Sequence, residues 1–395
     1  MKKRLLYYEI ESYLQHKNAL VITGMRQVGK STLMRQLFDA TNDTAKVLLD
    51  LDNPLEQKTV EGDDFRQIYA RLVRLAGGKT KRLFVCIDEI QNVPEVTKFI
   101  KYAIDHFGVK FVVTGSSSYY LRNLFPESLS GRKFLWTLAP MRFCEYLYFT
   151  DMVSVDDARA MQKAPLDTIQ DAVIAQSRED AYEVFMQFGG FPEVVLTPQV
   201  DTKRAILGNI LTSFFEKDIR FLGDVRDGRE IRDMLLLLVP RIGQILDITK
   251  LAGELGISRA KIYDYLTLLE NTFFLRLIPK YSSSVDRSTA GRKKVYITDT
   301  GLLTTLGAVN DGQLLENALV NQLADRGKLS YYNERNTREI DIIIDRIIAC
   351  EAKLKASGRD VFDVLKLAKA LRIPKAYVVS RTFVRGEQIL SPYFW

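Results

Sequence analysis

Cysteine and histidine are scarce in this chain of 395 residues. The three cysteines, Cys86, Cys144 and Cys350, lie far apart with no Cys-x-x-Cys pair, which argues against a disulfide frame or a zinc site and favours a reducing cytoplasm. With only two histidines, His16 and His106, a metal would have to rest on carboxylates, a donor set that suits Mg²⁺ or Mn²⁺. Long apolar runs are also lacking. The richest, MLLLLVP at 234–240, is far too short to span a bilayer, and MKKRLLYYEIESYL at the start has no uninterrupted apolar stretch. The expectation is a cytoplasmic protein with no membrane partner.

What is present, 47% hydrophobic and 27% charged residues, is the composition of a globular protein, and the length suggests two to four domains. The net charge of +7 permits a nucleic-acid partner without requiring one.

The run ALVITGMRQVGKSTLMRQLF begins as an apolar strand, breaks at Gly24 and resumes at helical spacing with Leu33, Leu37 and Phe38. Between strand and helix lies GMRQVGKS followed by Thr32. Gly24 and Gly29 let the N–H groups of Met25, Arg26, Gln27, Val28 and their neighbours turn around phosphate oxygens at the positive end of the helix. Lys30 would reach the β and γ phosphates of ATP, and Ser31 would bind Mg²⁺. LFVCIDEIQ at 83–91 supplies the acids that such a site needs: Asp88 at a strand tip to hold the magnesium and Glu89 to polarise the attacking water. A further apolar strand, VKFVVTGSSS, ends in hydroxyl residues suited to sensing the γ-phosphate, with Thr114, Ser116 and Ser117 as candidates. KVLLDLDNP adds another core strand. Strands alternating with helical patterns predict an α/β fold with a parallel sheet.

With the P-loop, DEIQ, TGSSS and SLSGRKFLWTLAPMRFCEYL in order, the chain resembles the prokaryotic AAA-type ATPases of the AAA+ superfamily whose C-terminal half carries a long-uncharacterised domain. The resemblance spans nearly the whole chain. It implies a helical lid after LSGR and makes Arg132 a candidate arginine finger or γ-phosphate sensor, acting in cis or in trans. Proteins of this type are commonly rings, so a homo-oligomer or a protein partner is a further expectation.

The multidomain division expected is a P-loop core at 1–140, a helical lid at 141–230, a winged-helix domain at 231–298 and a restriction-endonuclease-like domain at 299–395. ILDITKLAGELGISRAKIYDYLTLLENTFFLRLIP at 245–279 has the helix-turn-helix pattern, with Ser258 as N-cap of the second helix and Arg259, Lys261 and Tyr263 facing outward. Residues 241–300 hold ten Lys or Arg against six Asp or Glu, a balance that favours contact with DNA phosphates. Asp264 and Glu270 on the same helix oppose groove reading.

From Asp299 on, the order helix, three strands, helix, strand resembles the restriction-endonuclease-like core, with an acid on the middle strand and Glu-x-Lys on the next. Asp341, Glu351 and Lys353 fit that pattern, and Glu316 on the leading helix fits the additional acid. Asp341, Glu351 and Glu316 would hold Mg²⁺, the Ala352 carbonyl would complete the shell, and Lys353 would orient water. Hairpin parity supplies a condition. Asp341 and Glu351 share a face if the turn between them holds an odd number of residues, as a loop at Asp345, Arg346 and Ile347 would, or if a bulge restores the parity. Two functions stand open: an ATPase that couples nucleotide state to nucleic-acid binding or Mg²⁺-dependent cleavage, and a nucleotide-dependent switch or scaffold with a non-cutting C-terminal domain.

Overall fold

Five parallel strands form the sheet of the N-terminal unit: β1 (Ala19–Thr23), β2 (Ala45–Asp50), β3 (Leu83–Asp88), β4 (Lys110–Gly115) and β5 (Lys133–Thr137). Their order is β2-β3-β4-β1-β5. Strands β1, β3 and β4 are buried along their whole length, as continuous apolar runs covered on both faces must be. Helices Phe65–Leu75 and Val96–Phe107 contribute Ile68, Leu72, Phe99 and Ile100 to a core shared with Val85, Ile87 and Val113. The order places β4 between the P-loop strand and the strand of Asp88. Thr23 pairs with Gly115 and Ile87 with Val113, so the C-terminal ends of β1, β4 and β3 lie side by side. The computed structural model describes residues 1–42, 45–78, 82–116, 131–168, 170–219, 225–282, 292–334 and 338–395.

The chain divides into two compact units, Met1–Ala139 with Asn271–Phe273, and Pro140–Glu270 with Phe274–Trp395. The second unit takes in the three segments expected as lid, winged helix and C-terminal domain. The expected lid is helical, with helices Phe143–Phe149, Val155–Lys163, Ala172–Phe188, Pro192–Leu196 and Val200–Ser213. It does not stand apart from the C-terminal residues. Tyr182 accepts a hydrogen bond from Gln322 Nε2 at 2.8 Å, and Arg381 pairs with Glu183.

The tightest part of that packing explains QFGGFP and DTG, two stretches with no assigned chemistry. Asp299 is buried and caps helix Thr300–Leu306, accepting from Leu302 N–H at 3.0 Å and, across the unit, from Gly190 N–H at 2.7 Å. A Cβ at Gly189 would stand 2.2 Å from Asp299 Oδ1, one at Gly190 2.1 Å from the Met141 carbonyl oxygen, and one at Gly301 2.2 Å from that of Phe188. Burial pushes the Asp299 carboxyl up to about 6, against the pull of the N–H groups of Gly190, Leu302 and Gly301. A carboxyl raised in the native state contributes stability that is full below its unfolded value near 3.8 and is lost as pH rises through about 6. Asp299→Asn removes that dependence. The gap in urea midpoint between wild type and Asp299→Asn should therefore be wider at pH 4.5 than at pH 7.5, and a gap that does not change with pH would contradict this role.

Downstream, helices Val225–Leu238, Ile248–Leu255 and Arg259–Asn271 precede the antiparallel pair β6 (Leu275–Pro279) and β7 (Lys293–Ile297), and Ile245 bridges to Lys294. The wing expected between these strands falls at 283–291, outside the described residues. Helix Asp311–Leu323 then leads into a second five-stranded sheet, made of β8 (Leu329–Glu334), β9 (Arg338–Ile344), β10 (Ile348–Lys353), β11 (Lys375–Ser380) and β12 (Ile389–Leu390). Its order is β12-β11-β10-β9-β8. Strands β8, β9 and β10 form an antiparallel meander, and β11 joins β10 in parallel after crossover helix Gly358–Leu371. Buried Ile340, Ile343, Ala349 and Val378 pack against Val364, Leu367 and Ala368 of that helix.

Candidate functional site

Two clusters of charged side chains gather at strand ends, one in each unit. The first is built on the loop after β1. Gly24, at φ 146°, passes so close to the chain following β5 that a Cβ would stand 2.1 Å from the Leu138 carbonyl oxygen. Gln27, at φ 63°, and Gly29, at φ 97°, supply the left-handed turns that bring the loop round to helix Lys30–Ala40. Met25 and Val28 anchor the loop in the core, while Gln27, Ser31 and Thr32 are exposed at its mouth. Lys30 is buried and donates to the carbonyls of Gly24 and Met25, both at 2.9 Å. Its ammonium thus lies within the loop that would cradle the phosphates.

Asp88 ends β3, and Glu89, at φ 51°, turns the chain sharply into a short 3₁₀ turn, Ile90–Asn92. Thr114 at the tip of β4 joins the two acids: its hydroxyl donates to Asp88 Oδ1 and accepts from the Glu89 N–H at 3.2 Å. Ser31 also hydrogen-bonds the Asp88 carboxylate, so the hydroxyl and carboxylate expected to hold Mg²⁺ are adjacent. These hard oxygen donors fit that ion. Gln91 donates both to Glu89 and, at 3.0 Å, to Ser116 Oγ. Burial pushes Asp88 above the usual carboxylate range. At Glu89 burial acts in the same direction but is outweighed by Lys30 and Arg26, which hold it below that range and so ionised at neutral pH. Arg26 Nη1 lies 3.9 Å from Glu89 Oε1. Ser117 is outside the described residues.

Arg132 is not brought to this site within its own chain. Its carbonyl accepts from Ala19 N–H at 2.9 Å, and Ala19 pairs with Lys133, so Arg132 enters alongside the first residue of β1. Thr23, where the P-loop begins, is four residues further along the strand, about 13 Å away. The guanidinium instead meets Asp105 at 2.6 Å. The guanidinium beside Glu89 is that of Arg26.

The second cluster lies on the β9–β10 hairpin. Ile344 pairs with Ile348, Ile343 with Ala349 and Ile342 with Cys350, so the turn holds three residues, Asp345, Arg346 and Ile347. Asp345 and Arg346 take the left-handed conformation, at φ 48° and 65°. Asp341 and Glu351 are the next positions of that register and share a face. Asp341 Oδ2 accepts from the Ala352 N–H at 2.9 Å, and Glu351 Oε1 from Lys353 Nζ at 3.0 Å. Glu351 Oε2 is buried and accepts no hydrogen bond from the described residues.

Glu316 and Asp341 converge, but on a lysine. Lys294 of β7, only 2% exposed, places Nζ 3.0 Å from Glu316 Oε1, 2.7 Å from Glu339 Oε1 and 3.5 Å from Asp341 Oδ1. The Tyr296 hydroxyl donates to Glu316 Oε1 at 2.6 Å. Burial, followed by the Asp341 charge, raises both Glu316 and Glu351. The Lys294 ammonium is favoured: burial works against it, but Glu316, Asp341 and Glu339 outweigh burial and push it upward. As arranged, the residues expected as ligands do not fit a shared metal. Two face Lys294, the third is held by Lys353, and no group of three metal-ligating side chains is placed to hold an ion among the described residues.

Lys261 on the presumed recognition helix is likewise paired, at 3.0 Å with Asp227 and 2.7 Å with Glu230, while Tyr263 remains exposed. Sequence reasoning missed Lys294, Tyr296 and Gln91 as site residues. Gln91 was visible in DEIQ, whereas RKKVYITD reads as a basic flank and gives no sign that its second lysine is buried.

Residues 16–147 match a family model described as an AAA domain, and residues 179–313 match one described as a domain of unknown function, DUF8612. An uncharacterized protein of Methanocaldococcus jannaschii is 27% identical over 353 residues, 87% of this chain and 76% of its own length. An uncharacterized protein of Haemophilus influenzae is 27% identical over 337 residues, covering 82% and 78%. Among solved structures, the Aeropyrum pernix ORC1 protein in complex with DNA aligns at 13% identity and a TM-score of 0.33, covering 76% of this chain and 90% of that one. No described helix is long and apolar enough to cross a membrane. Within residues 16–147 the parallel sheet and the glycine loop accord with the AAA domain that the matched model describes.

Proposed function

We propose that the chain is an ATP-hydrolysing switch in which the nucleotide held by the P-loop unit governs nucleic-acid binding by the second unit. The observation that carries the proposal is the row of polar groups at the ends of β1, β4 and β3, where Lys30, Thr114, Asp88 and Glu89 meet at one edge of the sheet. Lys30 has to leave its two carbonyl partners to reach phosphate, an exchange that would make the loop sense an occupied site. Bound Mg²⁺ would supply charge neutralisation at the phosphates, held by Ser31 and Asp88. Glu89, kept ionised by Lys30 and Arg26, would orient the attacking water.

For the second unit, helices followed by the β6–β7 pair and the Ile245 bridge support a winged helix, and the meander with its parallel crossover supports a restriction-endonuclease-like sheet. Lys261 is tied to Asp227 and Glu230, so phosphate contact by the basic flank is favoured over reading by the helix. A second reading, Mg²⁺-dependent cleavage, draws on one observation: the three-residue turn gives Asp341 and Glu351 one face.

One experiment separates these readings. Labelled duplex and single-stranded DNA are incubated with the full chain, Mg²⁺ or Mn²⁺, and ATP or ADP, and both binding and cutting are followed. The switch predicts affinities that differ at least about tenfold between ATP and ADP, with DNA intact. Cutting that disappears in Lys353→Ala would establish the second reading, and equal affinity under all nucleotide conditions would overturn the first.

A further inference from the structure

Glu339 and Asp341 of β9, with Glu316, surround a cation that belongs to the chain. From this we infer that the Lys294 ammonium takes the place of a metal ion in the C-terminal site, closing it to divalent cations and fastening the β6–β7 pair to the sheet of β9. The inference rests on the restriction-endonuclease-like reading only in supposing that these acids suit a metal once the lysine is removed.

Three elements contribute to the arrangement: β7 supplies Lys294, helix Asp311–Leu323 supplies Glu316, and β9 supplies Glu339 and Asp341. Nζ lies within 3.5 Å of all three carboxylates, with 2% of the side chain exposed. The Tyr331 ring faces Nζ at 5.4 Å, so the fourth side is aromatic. An ammonium so enclosed is held by charge-assisted hydrogen bonds and is shut off from water. A divalent ion seeking Glu316 and Asp341 would meet a positive charge already seated between them.

Backbone placement fixes the lysine. Its strand pairs with β6 through five residues, Ile278 lies opposite Lys294, and Ile245 bridges it from the other side. The Lys294 backbone thus cannot move away from the acids without disturbing both neighbours. Glu316 is held in turn by Tyr296, two residues along the same strand and so on the same face. Gly243, at φ 75°, passes close enough that a Cβ there would stand 2.8 Å from Glu316 Oε2, which confines the carboxylate further.

Removing the ammonium leaves buried carboxylates without a counter-ion, a strongly destabilising change unless another cation enters. The test uses the full chain without nucleotide and compares wild type, Lys294→Met and Lys294→Met/Asp341→Asn by thermal unfolding, with and without millimolar Mn²⁺. The expected result is a lowered midpoint for Lys294→Met that Mn²⁺ raises by at least about 3 °C more than it raises wild type. The double variant should lose that response. Should Lys294→Met fail to fold, Lys294→Met/Glu339→Gln removes one charge of each sign, keeps Glu316 and Asp341, and should show the same Mn²⁺ response. A wild-type midpoint that rises as far as the variants', or variants indifferent to Mn²⁺, would overturn the inference. The readout needs no DNA cleavage, so absence of cutting bears on the second reading above and leaves this result standing.

Discussion

Lys30→Ala is expected to lower ATP turnover by at least about a hundredfold and to weaken nucleotide binding together with it. The effect is large because Lys30 is the ammonium held inside the phosphate cradle, at 2.9 Å from two of the loop's own carbonyls. A charge placed in advance, in a site with little water, stabilises developing negative charge far more than a surface lysine does. Alanine keeps the helix start intact, since Gly29 and the left-handed turn before it do not depend on the lysine side chain. A thermal midpoint near that of wild type with turnover lost would separate chemistry from folding. Retained turnover would show that the cradle is not where ATP is held.

Gly190→Ala is expected to cost the second unit about 3 kcal/mol or more of stability. The added methyl would stand 2.1 Å from the Met141 carbonyl oxygen, and backbone cannot swing aside as a flexible side chain can. Met141 is itself committed there, its N–H donating to the Gly190 carbonyl at 2.7 Å, while Gly190 N–H donates to Asp299 at 2.7 Å. One methyl therefore strains two hydrogen bonds at once. Gly208→Ala is the control: it lies within helix Val200–Ser213 with nothing within 4 Å of its added carbon, so it should be neutral or stabilising by up to about 1 kcal/mol. Urea unfolding of both variants checks the pair, and equal midpoints would show that the close approach at Gly190 can relax.

How far the site was legible depended on the range over which each residue acts. The P-loop, Asp88 and Glu89 were readable because strand, glycine turn and helix follow one another within a few residues, and local chemistry dictates their spacing. The hairpin was readable by parity. Its isoleucines are apolar on both faces and fix no register, but acids placed to share a face required an odd turn or a bulge, and the turn has three residues. Lys294 was not readable. Its partners lie 22 to 47 residues away in sequence, and a Lys-Lys pair ahead of a strand ordinarily marks a solvated edge. Only the pairing of β7 with β6 and the packing of helix Asp311–Leu323 turn that lysine inward. The place of Arg132, away from its own chain's P-loop, was not readable for the converse reason. Its neighbourhood in sequence carried the family resemblance, yet the parallel register with Ala19 sets it at the far end of the strand. The glycines at 189, 190 and 301 were visible as punctuation, but what they accommodate, a buried Asp299 and two crossing carbonyls, is a tertiary fact.

The central claim, ATP hydrolysis at the edge of the first sheet, is tested most directly by separating binding from turnover at Glu89. Glu89→Gln keeps the size of the side chain and its link to Gln91 but removes the charge that Lys30 and Arg26 hold in the ionised form. Measured on the full chain with Mg²⁺, the nucleotide affinity of Glu89→Gln should stay within about threefold of wild type while phosphate release falls about a hundredfold or more. Phosphate release at the wild-type rate from Glu89→Gln would contradict the account.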